Sequence, residues 1–280
     1  MSSLVVGVVL FGALMHASWN ALVKSRPDTF LVTILVAGGG GLLSAIALPF
    51  LPAPAPQSWI CIAASTAAQL AYYALLVAAY RDGDMSHAYP LMRGSAPLLV
   101  ALASGPLIGE RLGITQWLAI GCICGGILGL FISARSRHPG ARRTTVFALL
   151  TACMIASYTL IDGAGVRRSG SPVAYTMWIF MLTSIGLWAW AGKSRPGQLL
   201  AYARINVGVM LLGGAASVGA YATALWAMTQ APVAAVAALR ETSILFAAAI
   251  AALVLREKIS RQRLAAIALV ASGAVAMRLA

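Results

Sequence analysis

The chain has 280 residues, 60 % of them hydrophobic and only 10 % charged, and a formal net charge of +13. Soluble domains carry about 25 % charged residues, so a water-soluble fold is excluded and lipid must solvate much of this apolar surface. The Lys and Arg residues sit in short clusters between apolar runs, a pattern of membrane topology that excludes a basic nucleic-acid-binding face.

A spanning helix takes about 20 apolar residues. Ten such runs follow in order, at 4–23, 30–51, 58–80, 87–108, 113–133, 145–163, 172–192, 207–229, 232–255 and 261–279. Backbone in lipid must satisfy its own hydrogen bonds, so these runs are predicted to be helices. The alternating ten-residue strands of a membrane barrel are absent. The first run has no basic stretch before it and no cleavage site, and reads as a retained membrane helix. The connections are too short for a soluble domain.

In the first helix His16, Trp19 and Asn20 are three and four residues apart and share one face. They form either a cavity wall or a set of interhelical bonds. Gly38 to Gly41 in the second helix lack the Lys-Ser/Thr of a phosphate loop. Gln69, Tyr72 and Tyr73 in the third helix, Tyr158 in the sixth and Tyr221 in the eighth are further candidates for a polar wall.

Arg93 lies about two turns into the fourth helix and Arg240 about two turns into the ninth. Two turns is about 11 Å, too deep for easy snorkelling, and a charge at that depth costs roughly 2.5–3.5 kcal/mol. Either a ligand in a cavity or a structural ion pair must offset it. Pro97 removes the donor for the Arg93 carbonyl, so the fourth helix is expected to kink while the ninth, with Ile244 at the matching place, stays straighter. Glu241 follows Arg240, about 100° around the helix; it either pairs with a base on another helix or titrates in a proton-coupled cycle. Asp162 is the second candidate for proton coupling, against the plainer reading of an exposed helix-end charge near Arg167 and Arg168.

Other features read as packing or surface. Gly121, Gly125 and Gly129 make a smooth face for a neighbouring helix. Cys61, Cys122, Cys124 and Cys153 all lie in apolar runs and read as packing residues, with no metal site and no disulfide. Trp188 and Trp190 suit an interfacial belt, and His87 and His138, near loops, read as solvated. Gly192-Lys193-Ser194 has Leu187 where a phosphate loop needs glycine. No cofactor is implied.

The chain repeats itself. A shift of 147 positions lays Tyr89–Leu130 on Val236–Met277, with Arg93 on Arg240, Glu110 on Glu257 and Gly126 on Gly273. Ala17-Ser18-Trp19 falls on Ala156-Ser157-Tyr158, and Ala71-Tyr72 on Ala220-Tyr221. Residues 1–138 and 139–280 are thus expected to be two five-helix repeats. Five is odd, so the second enters the membrane from the opposite side, the inverted plan of many secondary transporters. Of the 20 Lys and Arg, 14 flank loops after odd-numbered helices and four lie at the other end, which points both termini away from the cytoplasm.

Two repeats, each with an apolar helix, a Gly/Arg-Glu-Arg/Lys turn and a second apolar helix, resemble the EamA-type transporters of the drug/metabolite transporter superfamily. The carrying residues are Gly109-Glu110-Arg111-Leu112 and Arg256-Glu257-Lys258-Ile259 with their flanking helices, and the likeness spans nearly the whole chain. It implies ten helices around a central cavity in a bacterial inner membrane, moving small metabolites without ATP. It also implies that the turn Glu is a fold signature, not a substrate ligand. The expected partners are the lipid bilayer, a small-molecule substrate and a candidate coupling proton. Two functions stay open: a transporter for a small polar metabolite, an amino acid or organic anion, and an exporter of apolar or cationic toxic compounds. An enzyme is not expected, because no nucleophile or acid–base pair has catalytic spacing.

Overall fold

A computed structural model of the chain describes residues 1–81, 85–133, 141–253 and 260–280. Its helices are α1 (Ser3–Lys24), α2 (Thr29–Ala47), α3 (Trp59–Arg81), α4 (Met85–Ile108), α5 (Ile114–Ser133) and α6 (Ala141–Ser169), then α7 (Pro172–Ser194), α8 (Gln198–Ile205), α9 (Val207–Met228), α10 (Val233–Arg240), α11 (Ser243–Leu253) and α12 (Arg261–Leu279). Among the described residues ten segments are long and apolar enough to span a membrane, with α10 and α11 sharing the ninth. The protein is an all-helical, multi-pass membrane protein.

Local chemistry sets the helix ends. Ser2, Asp28 and Ser260 accept a bond from the backbone N–H three residues on, and Pro172 opens α7 where no donor is needed. Gly109 ends α4 at φ +73°, its N–H bonding the Gly105 carbonyl, a left-handed cap that costs any other residue strain. The short α8 lies where the sequence showed only a loop; Leu199 is buried while Leu200 and Ile205 are exposed, as in a helix lying along an interface.

The principal packing pairs are α5 with α12, α3 with α6, α2 with α7 and α9, α1 with α9, and α4 with α5 and α6. Helix α10 is the most enclosed, with Val233 to Leu239 all buried. The largest core cluster gathers Val5, Val9, Ile62, Val100, Ile120, Leu160, Ile179 and Leu225 around it.

Glycines decide one contact. A methyl group at Gly39 would run into the Met210 carbonyl of α9, and one at Gly214 into the backbone of Gly39 and Gly40. The Gly38–Gly41 run therefore lets α2 approach α9 backbone to backbone. Trp188 covers Gly38, and its indole N–H donates to the Ile34 carbonyl at 3.0 Å, so this residue joins α7 to α2 inside the bundle instead of belonging to an interfacial belt.

Three other expectations change. Gly121, Gly125 and Gly129 do not seat a helix: a methyl group at any of them meets nothing within 4 Å. The close contact falls on Gly126, which faces Ala266 and Val270 of α12. The four-apart glycine spacing was real, but it marks the outer face of α5. His87 is buried, with its Nε2 2.9 Å from the Thr145 hydroxyl and its ring against Phe131. The ninth span, expected to be the straight one, is the broken one. Here α10 stops at Arg240 and α11 starts at Ser243, joined by N–H bonds to carbonyls three residues back from Glu241, Thr242, Ile244 and Leu245. Helix α4 runs unbroken through Pro90, Pro97 and Pro106, held by α5, α6 and α10. His138 and the Glu257-Lys258 turn lie outside the described residues.

Candidate functional site: a central cavity between the repeats

Arg93 and Arg240 are each about two turns from the start of their helices, α4 and α10. Those helices are the fourth and ninth spans and start from opposite ends of the bundle, so both guanidinium groups reach its middle.

They line one cavity of about 100 Å³. His16, Trp19 and Asn20 come from α1, Gln69, Tyr72 and Tyr73 from α3, Tyr158 from α6 and Tyr221 from α9. The structure thus gathers Arg93, Arg240 and the seven other candidate substrate-binding residues around one space. It adds Tyr89, Phe180, Ser217 and Ala220, which the sequence reading missed. Two of these were within reach: Tyr89 lies one turn before Arg93, and Ser217 one turn before Tyr221. Phe180 carries no sequence signal that separates it from core.

The wall is a chain of rings. Tyr72 meets Tyr73 at 5.0 Å and Tyr158 at 5.9 Å, Tyr158 meets Tyr221 at 6.4 Å, and Tyr221 meets Phe180 at 5.9 Å between centroids. His16 and Trp19 form an edge contact at 5.2 Å. These separations lie within the range for attractive aromatic pairs. Asn20 donates to the His16 carbonyl at 2.8 Å. The Trp19 indole N–H is buried and has no acceptor among the described residues, a cost that an acceptor on a ligand would remove.

The two arginines are held differently. Arg93 Nε lies 2.9 Å from Glu241 Oε2, a nearly buried ion pair between the repeats. The pair explains why Glu241 points away from Arg240 yet stays near the cavity. The helix break lies beside this pair: the tightened turn falls at Glu241 and Thr242, with Glu241 on Arg93 of α4 and Arg240 on the cavity. Arg240 instead stacks over the Tyr221 ring at 5.1 Å, a cation–π contact.

Asp162 is not the exposed helix-end charge that its sequence position suggested. It is fully buried and accepts hydrogen bonds from the hydroxyls of Tyr175, at 3.0 Å, and Tyr221. Ser65 also interacts with it. The helix continues to Ser169, seven residues past Asp162, which moves the true helix end to Arg167 and Arg168. Tyr221 therefore touches both Arg240, through its ring, and Asp162, through its hydroxyl. Neither Glu241 nor Asp162 lines the cavity; each sits one side chain behind it.

Glu110 closes one end of the bundle. Its carboxylate accepts from Arg167 Nη2 at 2.8 Å and from the backbone N–H of Val233 at 2.7 Å, at the positive end of α10. Arg167 also donates to the carbonyls of Met228 and Ala231, at 2.7 and 2.9 Å. One turn residue of the first half thus caps the central helix of the second.

Among the described residues ten apolar spans surround a small polar cavity that Arg93 and Arg240 both line. The EamA-like transporter family matches residues 3–132 and again 143–279. The chain belongs to that family, with its two-repeat helical fold, and is a membrane transporter of the drug/metabolite transporter superfamily. Members of the family are transporters and not enzymes. A solved crystal structure aligns over 100 % of this chain and 98 % of its own, with a TM-score of 0.79 and 19 % identity, and shares its fold. No curated protein matches the sequence.

Proposed function

We propose that this protein is a secondary transporter for a small anionic or zwitterionic metabolite, an amino acid or organic acid, moved by alternating access without ATP. The carrying observation is that Arg93 and Arg240, from different halves of the chain, line the same cavity. Arg93 is paired with Glu241 while Arg240 stacks over the Tyr221 ring. A substrate carboxylate would first meet Arg240 and the free Trp19 N–H, then compete with Glu241 for Arg93. Release of Glu241 would free the α4 contact beside the α10–α11 break, so that α11 can swing against α10. Binding energy is thereby coupled to a movement that the tightened turn permits.

In this reading residues 1–138 and 139–280 are inverted repeats, both termini face away from the cytoplasm, and the membrane is a bacterial inner membrane. The Lys and Arg distribution supports the orientation. Asp162, joined to Arg240 through Tyr221, is the candidate for proton coupling, with Glu241 second. Uptake of labelled amino and organic acids into proteoliposomes tests the proposal. Flux should disappear in Arg93→Ala and in Arg240→Ala; unchanged flux in both removes the arginines from the site.

The aromatic wall with two buried carboxylates behind it supports a second reading, export of apolar or cationic toxic compounds. Expression in a pump-deficient strain separates the two. Drug export protects broadly and depends on Glu241 or Asp162, whereas metabolite transport gives no such protection.

A further inference from the structure

The central cavity is not the only one among the described residues. A groove of about 470 Å³ opens on the outside of the bundle between α3, α4 and α6. Its rim is exposed apolar surface, Ile60 and Leu107, and its floor is Leu160. Ala164 and Arg168 continue from Leu160 along one stripe of α6 at steps of four, about 12 Å in all.

The mouth is basic and fixed in place. Arg167 and Arg168 end α6, where cations suit the helix dipole. The chain beside them is tied down by the Ala55 N–H to the Ser169 carbonyl, at 2.9 Å. Arg167 is committed to Glu110 and to two carbonyls. The nearby carboxylate, Glu110, is consumed by Arg167 and the start of α10 and is only 7 % exposed. Arg168 is exposed and makes no ion pair among the described residues, so the mouth keeps a positive charge.

We propose that this groove binds an anionic phospholipid, with Arg168 on the phosphate and one acyl chain lying along Ala164 and Leu160. The argument is one of matching chemistry. An apolar trough beginning at a helix end and running into the bilayer fits a chain, and a guanidinium at its open end fits a headgroup at the depth where headgroups lie. An ordinary lipid-facing surface would hold any lipid equally. This one should discriminate by headgroup charge through Arg168 and by shape through Ala64 and Ala164. Because Arg167 lines the same groove and holds Glu110, the bound lipid would rest against the contact that joins the two halves.

The test is native mass spectrometry of the purified full-length protein titrated with phosphatidylglycerol or phosphatidylcholine of the same chains. Wild-type protein should retain phosphatidylglycerol about fivefold better, the factor expected for one basic residue at the surface. Arg168→Gln should bring the two lipids level, and Arg168→Lys should keep the preference. Ala64→Phe, which fills the groove and leaves the charge, should weaken both lipids. Equal retention of the two lipids by wild-type protein, or an unaltered preference in Arg168→Gln, overturns the proposal. So does undiminished binding in Ala64→Phe. None of these readouts depends on what the central cavity transports.

Discussion

Replacing Glu110 by alanine should be among the most damaging single changes at the ends of this bundle. The carboxylate is 7 % exposed and takes a 2.8 Å bond from Arg167 and a 2.7 Å bond from the Val233 N–H. Each charge-assisted bond is worth about 1.5–3 kcal/mol, and a negative charge at the first turn of α10 adds about 0.3–1 kcal/mol. Arg167 is 34 % exposed, so water screens its share. The expected loss for Glu110→Ala is therefore about 2–4 kcal/mol. Glu110→Gln keeps an acceptor for Val233 and should lose about half as much. Arg111→Ala, an exposed neighbour in the same turn, should change stability by no more than about 0.5 kcal/mol. Equilibrium unfolding in mixed micelles of the three variants measures this order. Equal stability of Glu110→Ala and Arg111→Ala would refute the reasoning, because the capping of α10 would then contribute nothing.

Four further outcomes follow from particular contacts. Gly39→Ala drives a methyl into the Met210 backbone, which no side-chain rotation relieves, and should cost about 1–3 kcal/mol in the same unfolding assay. Gly125→Ala, which meets open space, should be neutral or stabilise the helix by up to about 1 kcal/mol. Trp188→Phe should cost about 1 kcal/mol from the lost bond to Ile34, with its ring still seated on Gly38. Asp162→Asn should keep substrate exchange between equal concentrations in proteoliposomes but lose accumulation driven by a proton gradient; accumulation at the wild-type level would take Asp162 out of the coupling.

Much of this arrangement was legible in the chain. Ten apolar runs fix ten helices because lipid leaves the backbone no other way to bond. Deep charge is expensive enough that Arg93 and Arg240 had to face inward. Polar and aromatic residues at steps of three and four then shared that face. What escaped were features set by neighbours. The break after Arg240 has no glycine or proline to announce it; it sits beside a pairing with Arg93, more than a hundred residues away. Asp162 looked exposed because the apolar run ends beside it, yet the helix carries on and three hydroxyl-bearing residues from other helices enclose it. The glycines of α5 have a packing spacing, but spacing does not say whether a helix waits on that face. In the Gly38–Gly41 run the sequence showed only what the glycines were not, and their contact with α9 depends on the path of α9.

The two arginines are proposed to hold a negatively charged group together in the middle of the protein. Thermal stabilisation of the purified protein by a panel of small carboxylates, amines and neutral aromatics tests this most directly, in wild type, Arg93→Gln and Arg240→Gln. Selected carboxylates should raise the melting temperature of wild type, and each single substitution should abolish that rise while leaving the ligand-free protein folded. Stabilisation by amines or neutral aromatics that persists in both variants would contradict the claim.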